Sequence, residues 1–254
     1  LYTIAADGTG GLKQVTNDKK DNRVVTFNKK RTQAVYLSGR NEVRVLDLKT
    51  FKDELVTKDE LWGFNNSLPY FSPNDQFISF SAFRNFEQEI MLYNTQTKKT
   101  INLTNTSITE TDPMWSQDGK YIYFTSSRLK PSYPFGIQNA RIYRLPLENI
   151  DEPYRGDKFT ELFKEEKKDT SKKVIVKTDE VINIDMDRIM DRLELVGPSF
   201  GSQAIVSLYQ KGDKSTVFYS SNHSEGKPAL WKTVIQPFEE NKIEAVLNFA
   251  GFKA

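Results

Sequence analysis

An all-β fold, a β-propeller of four-stranded antiparallel blades, is predicted by three observations on this sequence. A phrase returns at fixed spacing, an alternating run follows each copy, and long runs at helical spacing are nearly absent. Phe27-Asn28-Lys29-Lys30-Arg31, Phe71-Ser72-Pro73-Asn74-Asp75 and Trp115-Ser116-Gln117-Asp118-Gly119 each set a polar turn behind an aromatic, 44 residues apart both times. The runs Ala34 to Ser38, Ile78 to Ala82 and Ile122 to Ser126 keep the same step. A period in the forties built of turns and short alternating runs is the mark of a four-stranded sheet per repeat.

The remaining elements follow in order. Leu1 to Ala5 reads as the third strand of a blade and Leu12 to Thr16 as its fourth, joined by Asp7-Gly8-Thr9-Gly10-Gly11. Third strands recur at Glu42 to Asp47, Glu89 to Asn94 and Arg141 to Pro146, and fourth strands at Glu54 to Thr57, Ile101 to Thr104 and Phe159 to Phe163. In each, a side-chain period of 2 buries one face against a neighbouring blade. Strands resume at Val181 to Asp185 and continue through Arg192 to Val196, Ala204 to Tyr209, Thr216 to Ser221, Leu230 to Ile235 and Ile243 to Leu247. The whole of 1–254 is therefore expected to be one propeller segment of about five blades' worth. Its blade pattern is 1–17 (partial), 23–57, 68–105, 113–163 and 181–250. The ring is expected to be incomplete, with an open gap or an edge filled by a neighbouring molecule, and the chain to be a piece of a longer protein.

Two stretches break the period. Ser132 to Ala140 inserts between second and third strands. The excursion 151–180 carries nine acidic and eight basic residues, with a short helix expected over Phe159 to Lys168. Charge runs of this kind are ordinarily solvated; a docking element for a partner domain is the other reading.

Composition excludes several function classes. The 36 Lys and Arg nearly balance the 34 Asp and Glu, whereas nucleic-acid binding normally needs a basic face. With no cysteine there is no disulfide, thiolate nucleophile or cysteine-metal site, and the compartment, periplasmic or cytoplasmic, stays open. No stretch approaches the ~18 apolar residues of a membrane span.

Three patterns suggest chemistry without completing it. Gly197-Pro198-Ser199-Phe200-Gly201 matches the G-x-S-x-G elbow, which needs a helix directly behind its serine. Here Ser202 to Tyr209 alternates like a strand. The sole histidine, His223, lies in the polar loop Ser221 to Gly226, more like a surface residue than a triad base. Asp185 and Asp187 share a strand face but supply too few oxygens for calcium. No residue is therefore assigned as catalytic, cofactor-binding or metal-binding. The aromatics Tyr36, Phe80, Trp115, Tyr121, Tyr123 and Phe124 recur in register and read as inter-blade packing. Trp62-Gly63-Phe64 and Tyr133-Pro134-Phe135 do not recur and are candidates for contact surface.

The stretch Val181 to Leu195, with Ile184-Asp185-Met186-Asp187-Arg188-Ile189-Met190-Asp191-Arg192 at its centre, resembles the "V-x-I-D-x-D-G-I-x-D-R" stretch of tricorn-type proteases. Pro134-Phe135-Gly136, Arg141 to Leu147 and Asp112 to Arg128 resemble the same family, though TolB-like propellers share the last. The chain departs from the family at Arg188, where glycine is usual and a tight turn is at stake. The resemblance implies a multidomain serine protease in which propellers precede a PDZ-like and a catalytic domain. On that reading this segment scaffolds the enzyme and guides unfolded peptide, and it contains none of the catalytic residues. Implied partners are unfolded peptides, the catalytic and PDZ-like domains of the same polypeptide, and further copies of the chain in a homo-oligomer. Two other readings stay open: a TolB-like protein-binding propeller, and the gating propeller of a prolyl-oligopeptidase-type peptidase.

Overall fold

The computed structural model describes residues 1–131, 139–149 and 181–246, and over these the chain is built from strands. A two-stranded sheet pairs β1 (Tyr2–Thr3) with β2 (Lys13–Gln14). Four four-stranded antiparallel sheets follow. The first holds β3 (Asn22–Phe27), β4 (Gln33–Ser38), β5 (Glu42–Asp47) and β6 (Asp53–Lys58). The second holds β7 (Tyr70–Phe71), β8 (Phe77–Arg84), β9 (Glu87–Asn94) and β10 (Thr100–Asn102). The third joins β11 (Glu110–Trp115), β12 (Tyr121–Ser126) and β13 (Arg141–Pro146) to β14 (Glu194–Leu195). The last runs through β15 (Gln203–Lys211), β16 (Lys214–Ser221), β17 (Ala229–Ile235) and β18 (Lys242–Ala245). Strand order within each sheet follows the chain, which is the blade meander of a propeller. Among the described residues no strand of the last sheet joins the β1–β2 sheet, and no closed ring is seen among them.

The 44-residue phrase marks equivalent places. Phe27, Phe71 and Trp115 end the first strands β3, β7 and β11, and pair with Ala34, Ile78 and Ile122 on the second strands. The turn behind each has one left-handed residue, Arg31, Asp75 or Gly119, with φ of 51°, 59° and 73°. The residue three before it closes the turn. Asn28 Oδ1, Ser72 Oγ and Ser116 Oγ accept from the backbone N–H of Gln33, Phe77 and Tyr121 at 3.1, 2.9 and 3.0 Å. A short polar side chain that bonds its own backbone suits such a turn, which explains the composition of the phrase.

Packing between sheets supplies the core. Val35, Leu37 and Val43 meet Ile78, Phe80 and Met91, while Ile90, Leu92 and Phe77 meet Trp115, Ile122 and Phe124. Tyr123 and Ile142 meet Val217, Tyr219 and Ile235. The recurrent aromatics Phe80, Tyr123 and Phe124 are fully buried in these layers, and Tyr36 is fully buried in a further cluster with Ala34 and Leu46.

The structure redraws the region after β13. The closing strand of the third sheet is β14, within the Arg192 to Val196 stretch expected to belong to the following blade. The fourth strand expected at Phe159 to Phe163 lies outside the described residues, as do the helix over Phe159 to Lys168, the whole of the charged excursion 151–180 and Tyr133 to Phe135. Val181 to Asp185 is not a strand. It is an irregular segment, bonded to Leu147 O through Asp185 N at 2.8 Å, with Ile182 buried. Asp185 and Asp187 therefore share no strand face; Asp185 Oδ1 accepts instead from Asp187 N at 2.9 Å in a local turn. Arg188 occupies the left-handed region, φ 47° and ψ 35°, ahead of a 3-10 turn at Ile189–Arg192. No helix of the described residues is long and apolar enough to cross a membrane.

Candidate functional site

The first strand of each four-stranded sheet is an edge strand, and the four edges converge. Around a cavity of about 570 Å³ stand Phe27 of β3, Tyr70 of β7, Met114 and Trp115 of β11, and Leu208 of β15. The two aromatics after the first repeat are packed away: Trp115 is 7% exposed and donates from its indole N–H to Ser79 Oγ at 3.0 Å. Phe27, at the equivalent position, is 53% exposed and offers its ring to the cavity. Burial pushes the Tyr70 hydroxyl above its usual range, with the nearby Asp112 carboxylate adding to the shift, so this phenol stays a neutral donor. Aromatic walls and unpaired strand backbone suit an extended chain better than a small polar metabolite.

The opposite ends of the inner strands are polar. β3 and β11 both carry a bulge, between Arg23 and Thr26 and between Thr111 and Met114. Each bulge holds one left-handed residue, Val24 or Asp112. The Asp112 carboxylate is half-buried and accepts from Thr111 Oγ1 at 3.0 Å, while Asp112 N donates to Ser67 Oγ at 2.9 Å. Burial pushes its pKa up, against the pull of the Thr111, Ser67 and Thr125 hydroxyls. In the sequence Asp112 stood only at the head of the shared propeller phrase and carried no role of its own, because a bulge aims a side chain without leaving a periodicity signal.

The elbow-like loop is assembled for packing. The strand β15, not a helix, follows Ser199. Gly201 has φ +77°, and a Cβ there would lie 2.6 Å from the His223 backbone. A Cβ on Gly197 would lie 2.7 Å from Gln203 Oε1. That glutamine staples the loop, donating to Pro198 O at 2.6 Å and accepting from Ile142 N at 3.2 Å. Arg141 adds a bond to Gly201 O. His223 shares a hydrogen bond with Ser221 Oγ at 2.8 Å, not with Ser199, and packs on Trp231 at 4.1 Å. Burial holds its pKa below the ordinary histidine value.

Trp62 and Phe64 belong to a cluster of aromatics. Trp62 stacks on Phe83 at 4.3 Å and 8°, and Phe64 and Phe86 meet it edge-on at 5.3 and 6.0 Å. Trp62 and Phe64 stood out in the sequence because they break the repeat, but Phe86 did not.

Among solved structures the chain is similar to TolB from Acinetobacter baumannii, at 17% identity and TM-score 0.57, over 96% of its own length. It is similar to the tricorn protease at 15% identity and TM-score 0.58, over 92% of its length. A putative TolB from Agrobacterium tumefaciens matches at 14% and 0.55, over 95% of this chain and 72% of its own. The chain spans 48% of the Acinetobacter protein and 23% of the tricorn protease chain. At such identities the shared property is the propeller fold. No curated protein matches the sequence. The model of the family described as eukaryotic translation initiation factor eIF2A matches residues 3–137, more than half of the chain, and the chain belongs to that family.

Proposed function

We propose that this chain is a non-catalytic propeller segment that receives extended peptide at the converging inner edges of its blades. In this reading it scaffolds a tricorn-like serine protease and guides substrate toward a catalytic domain elsewhere in the polypeptide. The observation that carries the proposal is the cavity ringed by the edge strands β3, β7, β11 and β15. Edge strands present unpaired N–H and C=O groups that an extended main chain can satisfy, while the aromatic wall takes its side chains. The strand behind Ser199 and the Ser221 partner of His223 support a role without peptide-bond chemistry. A binding propeller outside any enzyme is the second reading, favoured by the likeness to TolB and by the family description. With 36 basic against 34 acidic residues, such a role would rest on protein contacts rather than nucleic acid.

The test uses the 254-residue chain and fluorescein-labelled, unfolded casein followed by anisotropy. Binding in the micromolar range, weakened about tenfold or more by Phe27→Asp with an unchanged melting temperature, is expected. Casein that ignores the protein, or binding indifferent to Phe27→Asp, removes the proposal. Cleavage of the casein lost in Ser199→Ala overturns the non-catalytic part.

A further inference from the structure

We infer that the polar end of the inner strands carries a recognition pocket for a basic side chain, an arginine or lysine of an extended peptide, with Asp112 as its counter-charge. A cleft of about 310 Å³ opens between the loop after Phe64 and the first residues of β11. Phe64, Asn66, Ser67, Gln88 and Asp112 line it. The remaining polar groups are largely committed to the fold. Asn65 Nδ2 donates to Ser81 O at 2.8 Å, and Asn65 Oδ1 accepts from Ser67 N at 3.0 Å and from Gln88 Nε2 at 3.1 Å.

Asp112 is the charged group of this cleft. Its neighbours are the hydroxyls of Thr111, Ser67 and Thr125, and among the described residues no basic side chain pairs with it. A half-buried carboxylate held by hydroxyls and facing a cleft is an acceptor for a cation brought by another molecule. The bulge and its left-handed φ of 57° turn this residue out of the ladder's alternation, and such local distortions persist where they aim a side chain.

The aromatic cluster identifies what accompanies the cation. Phe64 and Phe86 are 66% and 64% exposed although they pack only edge-on against their neighbours. Phe86 is held there against its backbone preference. The β8–β9 hairpin turns through Asn85 and Phe86, with φ of 51° and 70°, between the paired residues Arg84 and Glu87. That two-residue turn favours glycine at its second position. A phenylalanine in its place is strained and gains within the fold only an edge-on contact with Trp62, the ring that also meets Phe64 of the cleft. Aromatic faces beside a carboxylate bind the stem and charge of a basic side chain and an apolar neighbour.

This inference rests on the peptide-binding reading and adds a side-chain preference to it. The probe is a blocked, fluorescein-labelled peptide with a central Phe-Arg-Phe, compared with one carrying citrulline, the neutral isostere, for arginine. The arginine peptide is expected to bind at least tenfold more tightly. Asp112→Asn is expected to abolish that difference without weakening the citrulline peptide, since asparagine tolerates the left-handed region. Phe86→Gly is expected to weaken both peptides while raising or preserving the melting temperature. Equal binding of the two peptides, or an Asp112→Asn protein that still prefers arginine, overturns the inference and leaves the peptide reading standing. Binding of neither peptide overturns both. A citrulline peptide with a free amino terminus that binds like the blocked arginine peptide moves the cation to the α-amino group and overturns the side-chain assignment.

Discussion

Gln76 pairs with Ile182 as a second strand would: its Nε2 donates to Ile182 O at 3.1 Å and its Oε1 accepts from Ile182 N at 2.9 Å. One side-chain amide thus satisfies both backbone groups of a residue 106 positions away and docks an irregular segment onto the second sheet. The Ile182 side chain then seats against Gly119, where a Cβ would lie 2.7 Å from its Cδ1. Gln76→Ala strands two backbone groups and should cost about 1–3 kcal/mol. Gly119→Ala, strained by its φ of +73° as well as by the clash, should cost a similar ~1–3 kcal/mol. Because both act through Ile182, the double variant should fall short of the sum in urea denaturation. Strict additivity would show that the two contacts are independent.

Arg188 sits at φ 47° and ψ 35°, where glycine is at ease and a side chain is not. Its ion pair with Asp191 is exposed on both sides and contributes little. Arg188→Gly should therefore stabilise the chain by about 0.5–1 kcal/mol. A lower melting temperature in that variant would contradict the assignment of strain to this turn.

The loop Gly197 to Gly201 should respond to its glycines and not to its serine. Gly201→Ala meets both a φ of +77° and the His223 backbone, and should destabilise by about 2 kcal/mol or more. Ser199→Ala should leave stability unchanged, since nothing in the loop's stapling by Gln203 and Arg141 uses its hydroxyl. Chemical denaturation of the two variants side by side decides the point.

Acid should favour the wild type over Asp112→Asn. Burial raises the folded-state pKa of this carboxyl, so the folded chain holds the proton more tightly than the unfolded one. Its contribution to stability is full below the ordinary carboxylate value and is lost as pH rises through the raised one. Tyr70, the titratable neighbour, is itself pushed up and stays neutral across that window. Carboxylates with lowered values, such as Glu42 beside Lys20 and Arg44, work the other way, but they are common to both proteins. The melting temperature of wild type minus that of Asp112→Asn should thus fall as the pH rises above about 4. A flat difference would refute the shift.

Much of this molecule is local and could be read along the chain. The spacing of Phe27, Phe71 and Trp115 and the alternation from Ala34, Ile78 and Ile122 reflect hairpins a few residues across, whose period of 2 and turn chemistry leave a direct trace in the residues. Which strand closes a sheet leaves none. Glu194–Leu195 completes the third blade after a long detour, and Ile182 is captured by a side-chain amide, because partners distant in sequence are chosen by the surfaces that meet after folding. The same holds for the sites. Trp62 and Phe64 stood out by breaking the repeat, but the turn strain that presents Phe86 and the bulge that aims Asp112 into a cleft are backbone geometries with no composition of their own. The sequence alone determined the blade plan, since each blade is a local unit. Only the tertiary structure decided that an aromatic ring and a carboxylate line one cleft, because that depends on how one blade leans on the next.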